Sequence, residues 1–258
     1  MSVLLQDNIE KDGFRLRGTH LSRIDGFSDV VFGFALTLLV VSLEVPKTFH
    51  ELQQSLRGFL PFAISFYFLM SVWYAHYQFF RRFGLHDTGT IALNAVLLFV
   101  VLFFVYPLKF LFTFLSSMLF GQADGVFESY QQVTELMVLY GLGFAAIHML
   151  QAALYWNGYR QRRRLELNPQ EEVLTRTYIR ESAGVGSIGL ISCILALLLP
   201  PAYSGFAGFT YALIGVFKTI SGRITRRQIA RFQTKQNHTP LESPVSDVLL
   251  NAQVDSSK

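Results

Sequence analysis

Arg23-Ile-Asp-Gly-Phe-Ser-Asp29 leads directly into Val30-Val-Phe-Gly-Phe-Ala-Leu-Thr-Leu-Leu-Val-Val41, and the run closes at Pro46. Between Val30 and Val41 there is no charge and a single hydroxyl, Thr37. A helix crosses the ~30 Å of hydrocarbon in a bilayer with about 20 mainly apolar residues. A charge at mid-membrane costs roughly 2.5–3.5 kcal/mol on insertion scales, so charges persist there only when they pair or meet water. Arg23, Asp25 and Asp29 stand at the mouth of this run. Two readings are open on this stretch alone: interfacial residues flanking a plain anchor, or a polar foot held by other helices.

The rest of the chain decides the class. Hydrophobic residues make up 51% of the 258, only 16% are charged, and 25 are Phe. A soluble domain carries roughly a quarter charged residues. Apolar segments at 26–45, 58–80, 90–119, 133–156, 183–200 and 203–222 predict an all-α integral membrane protein with six transmembrane helices. The third exceeds what a bilayer requires, so tilting, projection or a kink at Pro107 is expected. Pro200-Pro201 marks a tight hairpin between the last two. The first run has the length of a retained span, and no cleavable leader is expected before it. The organisation read is a cytoplasmic segment at 1–22, a transmembrane domain at 23–225, and a basic, then disordered, cytoplasmic tail at 226–258.

Basic residues orient the bundle. With the N-terminus inside, nineteen of the 22 Lys and Arg face the cytoplasm, leaving Lys47, Arg57 and Lys109 outside. Both termini are therefore expected in the cytoplasm of a multi-pass cell-membrane protein. The net charge of +4 reports this topology rather than nucleic-acid binding. Arg160, Arg162, Arg163 and Arg164 form a juxtamembrane cluster suited to anionic lipid.

Catalytic and metal-binding patterns are absent. There is no G-x-x-x-x-G-K-[ST], no H-E-x-x-H, no Ser-His-Asp arrangement and no C-x-x-C, so neither an enzyme nor a cofactor is expected. The single Cys193 is read as packing, and no arginine repeat suggests a voltage sensor. Gly184, Gly186, Gly189, Gly205, Gly208 and Gly215 suit close helix packing in lipid. Phe27, Val30, Phe34, Thr37, Leu38 and Val41 fall near one helical face. Such a stripe is ordinarily lipid-facing or packed. The polar foot of Arg23, Ser28 and Asp29 below it adds the reading of a locked helix whose shaft faces something narrow. His76, in Trp73-Tyr-Ala-His76, is at the expected depth of Asp29, and Asn94 is close to that level. A network of Arg23, Ser28, Asp29, His76 and Asn94 is the expectation, with His148 read as a packing histidine.

R-x-x-x-F-S-D at Arg23, Phe27, Ser28 and Asp29, followed by Thr37-Leu38-Leu39, resembles the first helix of the endosomal/lysosomal potassium-channel family, transmembrane protein 175. Trp73-x-x-His76, Leu93-Asn94 and Pro107 match the same pattern, so the resemblance covers most of Arg23 to Leu115. It is similar to the bacterial branch, with one six-helix repeat per subunit and a homotetrameric assembly. The resemblance implies a potassium-selective leak channel with K+ as the permeant ion and an apolar constriction instead of a carbonyl filter. By position, Phe34, Leu38 and Val41 would form the constricting layers of a pore lined by the first helix, with Thr37 adding a ring of hydroxyls. Phe34 stands where the family usually has Ile or Leu, so four phenyl rings would narrow or close the throat. A secondary transporter, a weakly selective cation or proton leak, and a haem protein using His76 and His148 remain the competing readings.

Overall fold

Ser22 and Asp25 start the first helix by a reciprocal cap. The Asp25 backbone N–H donates to Ser22 Oγ at 3.2 Å, and the Ser22 N–H donates to Asp25 Oδ2 at 3.1 Å. The computed structural model describes residues 9–41, 47–49, 52–53, 59–119 and 127–237, with only the backbone of Val41, Pro61, 112–119 and 230–237. The elements are α1 (Arg23–Val41), α2 (Phe59–Phe83), α3 (Thr88–Leu119), α4 (Tyr130–Arg160), α5 (Pro169–Leu198), a 3₁₀ segment (Pro201–Ala212) and α6 (Leu213–Asn237). The fold is all-α with six α-helices among the described residues.

Among the described residues three helices are long and apolar enough to cross a membrane: Thr88–Leu111 of α3, Tyr130–Arg160 (α4) and Pro169–Leu198 (α5). The 19 residues of α1 rise about 28 Å, and Arg23, Asp25 and Asp29 occupy its first two turns. The expected single span at 203–222 is built differently. Pro200 and Pro201 supply no backbone N–H to continue α5, and the twelve residues from Pro201 to Ala212 wind as a 3₁₀ helix containing Gly205 and Gly208. From Leu213 the chain is α-helical to Asn237, past the boundary expected at 225. Residues 238–258, expected to be a disordered tail, lie outside the described residues. At Pro107, where a kink was one expectation, α3 is assigned helical throughout. The Tyr140 hydroxyl of α4 donates to the Pro107 carbonyl.

α4 and α5 make the most extensive contact in the bundle. A Cβ on Gly141 would sit 2.3 Å from Cys193 Sγ and 2.7 Å from the Gly189 carbonyl oxygen, so only glycine allows this crossing. Cys193 is buried there and donates to the Val138 carbonyl at 3.4 Å. The core runs between α2, α3 and α4 through Phe79, Phe83, Leu97, Val101, Ile147 and Leu154.

Residues 9–22 fold back across the Arg-rich end of the bundle. A turn held by Glu10 N–H to the Phe14 carbonyl (2.9 Å), with Gly13 at φ +84°, inserts Phe14 against Phe83. Arg82, 2% exposed, donates to Glu10 at 2.9 Å and to Asp12 at 2.7 Å between the rings of Phe14 and Tyr178. Glu171 is fully buried at the start of α5 and accepts from Arg15 Nε at 3.0 Å and Arg17 Nη2 at 2.9 Å. That contact raises the Arg15 guanidinium above its ordinary value, chiefly through the hydrogen bond to Glu171. The same carboxylate completes a capping box with Asn168. The strap, α2 and α5 are thus fastened to each other by two buried charges, Glu171 paired with Arg15 and Arg17, and Arg82 paired with Glu10 and Asp12.

Candidate functional site

The foot of α1 carries a hydrogen-bonded chain that crosses three helices. Ser28 Oγ donates to the Ile24 carbonyl at 2.8 Å, which leaves its oxygen to accept. It accepts from Asn94 Nδ2 of α3 at 2.9 Å, so the Asn94 amide oxygen faces the other way. That oxygen lies 2.7 Å from His76 Nε2 of α2. With both Asn94 groups committed, His76 carries its proton on Nε2, and Nδ1 is a buried lone pair without a partner among the described residues. Ser28, Asn94 and His76 are all buried, and His76 is flanked by Phe32 and Phe80 at ring separations of 5.4 and 4.7 Å.

Asp29 is held separately. It is exposed and accepts from Trp73 Nε1 at 2.8 Å, one helical turn before His76. The direct pairing of Asp29 with His76 expected from their depth does not form, because Asn94 already takes the imidazole and the indole takes the carboxylate. Arg23 is exposed, with no hydrogen bond or ion pair among the described residues. Trp73 is the member that sequence reasoning left out of the network, although its i, i+3 spacing to His76 puts both on one face of α2. Between this foot, α2 and the strap lies a cavity of about 380 Å³ bordered by Asp25, Asp29, His76 and Arg81. Among the described residues no group of three or more His, Cys, Asp or Glu is placed to hold a metal ion.

Above the foot, α1 has two faces. Ser28, Phe32, Ala35 and Leu39 are buried against α2 and α3. Phe27, Val30 and Phe34 are exposed by 63, 70 and 56%, and Thr37 is exposed beside them. This is a near-continuous apolar strip with none of the described residues over it. Thr37 donates its hydroxyl proton to the Gly33 carbonyl at 2.9 Å, so only oxygen lone pairs face outward from it. Leu38 lies at the border, half-buried and packed on the core. Of Val41 only the backbone is described.

A second polar centre, unread in the sequence, ties α3 to α4. Asp87 caps α3 through Thr90 and accepts from Asn157 at 3.3 Å and Gln161 at 3.0 Å. Its position just ahead of an apolar run is the standard signal of an N-cap. Burial pushes its carboxyl up, but the hydrogen bonds from Thr90, Gln161 and Asn157 outweigh it and hold it down at about 2.

Known proteins resemble this chain in sequence and in fold. The sequence pattern of the family described as endosomal/lysosomal potassium channel TMEM175 matches residues 23–107, the segment holding α1, the foot network and the first half of α3. A potassium channel of Marivirga tractuosa is 40% identical over 232 residues, covering 84% of this chain and 93% of its own. A crystal structure of the potassium channel MtTMEM175, a threonine-to-alanine variant bound to a nanobody–MBP fusion, superposes with a TM-score of 0.73 at 39% identity. It covers 83% of this chain and 99% of that one. The fold extends to a lysosomal potassium-selective channel homologue from Chamaesiphon minutus, with a TM-score of 0.52 at 23% identity over 77% of this chain and 96% of that one. These relatives are potassium channels, and this chain belongs to the endosomal/lysosomal potassium channel family TMEM175.

Proposed function

We propose that the chain is one subunit of a homotetrameric, potassium-selective leak channel of the cell membrane, with both termini cytoplasmic and the exposed face of α1 lining the pore. The observation that carries this reading is the two-faced α1: a foot locked to α2 and α3 through Ser28, Asn94 and His76, and an uncovered strip of Phe27, Val30, Phe34 and Thr37 above it. One helix cannot enclose a pore, so the strip needs copies of itself, and closed cyclic assemblies are the usual solution. Around the axis, Phe34, Leu38 and Val41 form the apolar constriction, and Thr37 supplies oxygen lone pairs to a passing cation. Permeation is then limited by dehydration and wetting, and potassium sheds its water at lower cost than sodium. Arg23, exposed at the same foot, completes the network of Ser28, Asp29, His76 and Asn94 across a subunit boundary. Arg160, Arg162, Arg163 and Arg164 meet anionic headgroups at the cytoplasmic surface.

Purified chain reconstituted in liposomes tests the function. A potassium gradient alone should drive flux several-fold above that from an equal sodium gradient. Equal fluxes, or flux that needs a counter-ion on the far side, would replace the channel with a leak or a transporter.

A further inference from the structure

Tyr159, in the last turn of α4, holds two arginines in place. Arg176 of α5 donates to the Tyr159 hydroxyl through Nε at 2.8 Å and again through Nη2. The Arg162 guanidinium, in the connection after α4, lies 4.7 Å from the centre of the same ring and donates through Nη1 to the Tyr159 carbonyl at 3.3 Å. Among the described residues, Nε and Nη2 of Arg162 and Nη1 of Arg176 have no hydrogen-bond partner. Glu172 reaches Arg176 only at 3.4 Å in an exposed pair, which contributes little. Six arginines lie between Arg160 and Arg180 against three glutamates, and Glu171 is already spent on Arg15 and Arg17. The patch is therefore positive and unbalanced.

Its depth follows from its neighbours. Trp156, 53% exposed, is one turn back on α4, with its ring 5.9 Å from that of Tyr159. Trp and Tyr concentrate at the membrane–water interface, where the ring body meets lipid and the polar edge meets water. α4 is apolar enough to span a membrane and ends at Arg160, so the arginine pair is at headgroup level. Planar guanidinium groups match the oxygens of a phosphate, and a side chain already held in position loses less entropy when it binds. A soluble anion would gain nothing from the exposed indole, whereas a lipid places its phosphate and its acyl chain on the two parts at once. We propose that Arg162 and Arg176, held by Tyr159, bind the phosphate of one anionic phospholipid whose acyl chain runs along Trp156. The site rests on the reading of α4 and α5 as membrane spans and not on the pore.

The test titrates the full chain in mild detergent with phosphatidylglycerol or phosphatidylcholine and counts bound lipids by native mass spectrometry. The unaltered chain should retain phosphatidylglycerol in preference to phosphatidylcholine. Arg162→Gln and Arg176→Gln should each weaken that retention about tenfold, the value of one charge-assisted contact. Arg176 is 59% exposed, so its replacement leaves the core intact. Arg163→Gln removes an equal charge from an exposed neighbour and should change retention little. Tyr159→Phe keeps every charge but loses the hydroxyl that holds Arg176, and it should weaken retention several-fold. Equal losses in the three arginine variants, or no loss in Tyr159→Phe, would mean diffuse attraction and overturn the site. So would the absence of a preference for phosphatidylglycerol, or displacement of the lipid by inorganic phosphate, which would make the ligand a soluble anion. Ion flux does not enter the readout, so a failed channel reading would leave these outcomes unchanged.

Discussion

Asn94 spends both ends of its amide at once, one on Ser28 and one on His76, and all three side chains are buried. Removing it orphans the buried imidazole N–H, while the Ser28 hydroxyl keeps its bond to the Ile24 carbonyl. Each unsatisfied group costs about 1–3 kcal/mol, so Asn94→Ala should lower the unfolding free energy by at least that much in mild detergent. Asp29→Ala breaks a single contact, to Trp73, at an exposed position, and the chain by itself should lose only about 1 kcal/mol. Chemical denaturation of both variants checks the order, and a larger loss at Asp29 would contradict it. Ser28, His76 and Asn94 were legible because they interrupt apolar runs at matched depth, whereas Arg23 and Asp29, expected in the same network, lie outside the buried chain. Which atom meets which was not, since it depends on the rotation of three helices about their own axes.

At the scale of elements, the strap at residues 9–22 is the largest feature that the hydrophobic pattern hid. Its charges look like an ordinary soluble segment, yet Glu171 and Arg82 bury their charges under it with long-range partners. Glu171→Ala leaves Arg15 and Arg17 without their shared carboxylate. The arginines left behind reach solvent, so the loss comes from the broken hydrogen bonds and the lost cap with Asn168, and a fall in stability of about 1–3 kcal/mol is expected. An unchanged melting temperature would mean the strap docks only loosely. Asp87 gives a pH-dependent counterpart. Its folded value, about 2, lies below the ordinary carboxylate range, so its contribution is complete above about pH 4 and is lost as pH falls towards 2. Asp87→Asn should therefore lose less stability than the unaltered chain between pH 5 and pH 2.5, and identical losses would contradict this. The apolar runs located α1 to α4, but only the apolar half of α5, whose helix starts at Pro169 rather than near 183 because its polar first turns are capped by Asn168 and Glu171. The sixth segment misled the same reasoning, since an apolar count does not register that Pro200, Pro201, Gly205 and Gly208 favour a 3₁₀ winding before α6 begins.

For the whole molecule, the unanswered surface is the strip on α1. Its buried side explains the fold of the single chain, while Phe27, Val30, Phe34 and Thr37 are exposed. In the proposed assembly they surround the path of the ion, and Phe34 is the bulkiest ring on it. The central claim is tested most directly by potassium and sodium efflux from liposomes containing the unaltered chain or Phe34→Ala. Lowering the barrier by about 1.4 kcal/mol would raise potassium flux roughly tenfold, and sodium flux should rise by more, so the potassium-to-sodium ratio falls. If Phe34→Ala leaves both fluxes unchanged, or lowers them together with thermal stability, the strip is a lipid-facing or packing surface and the pore lies elsewhere.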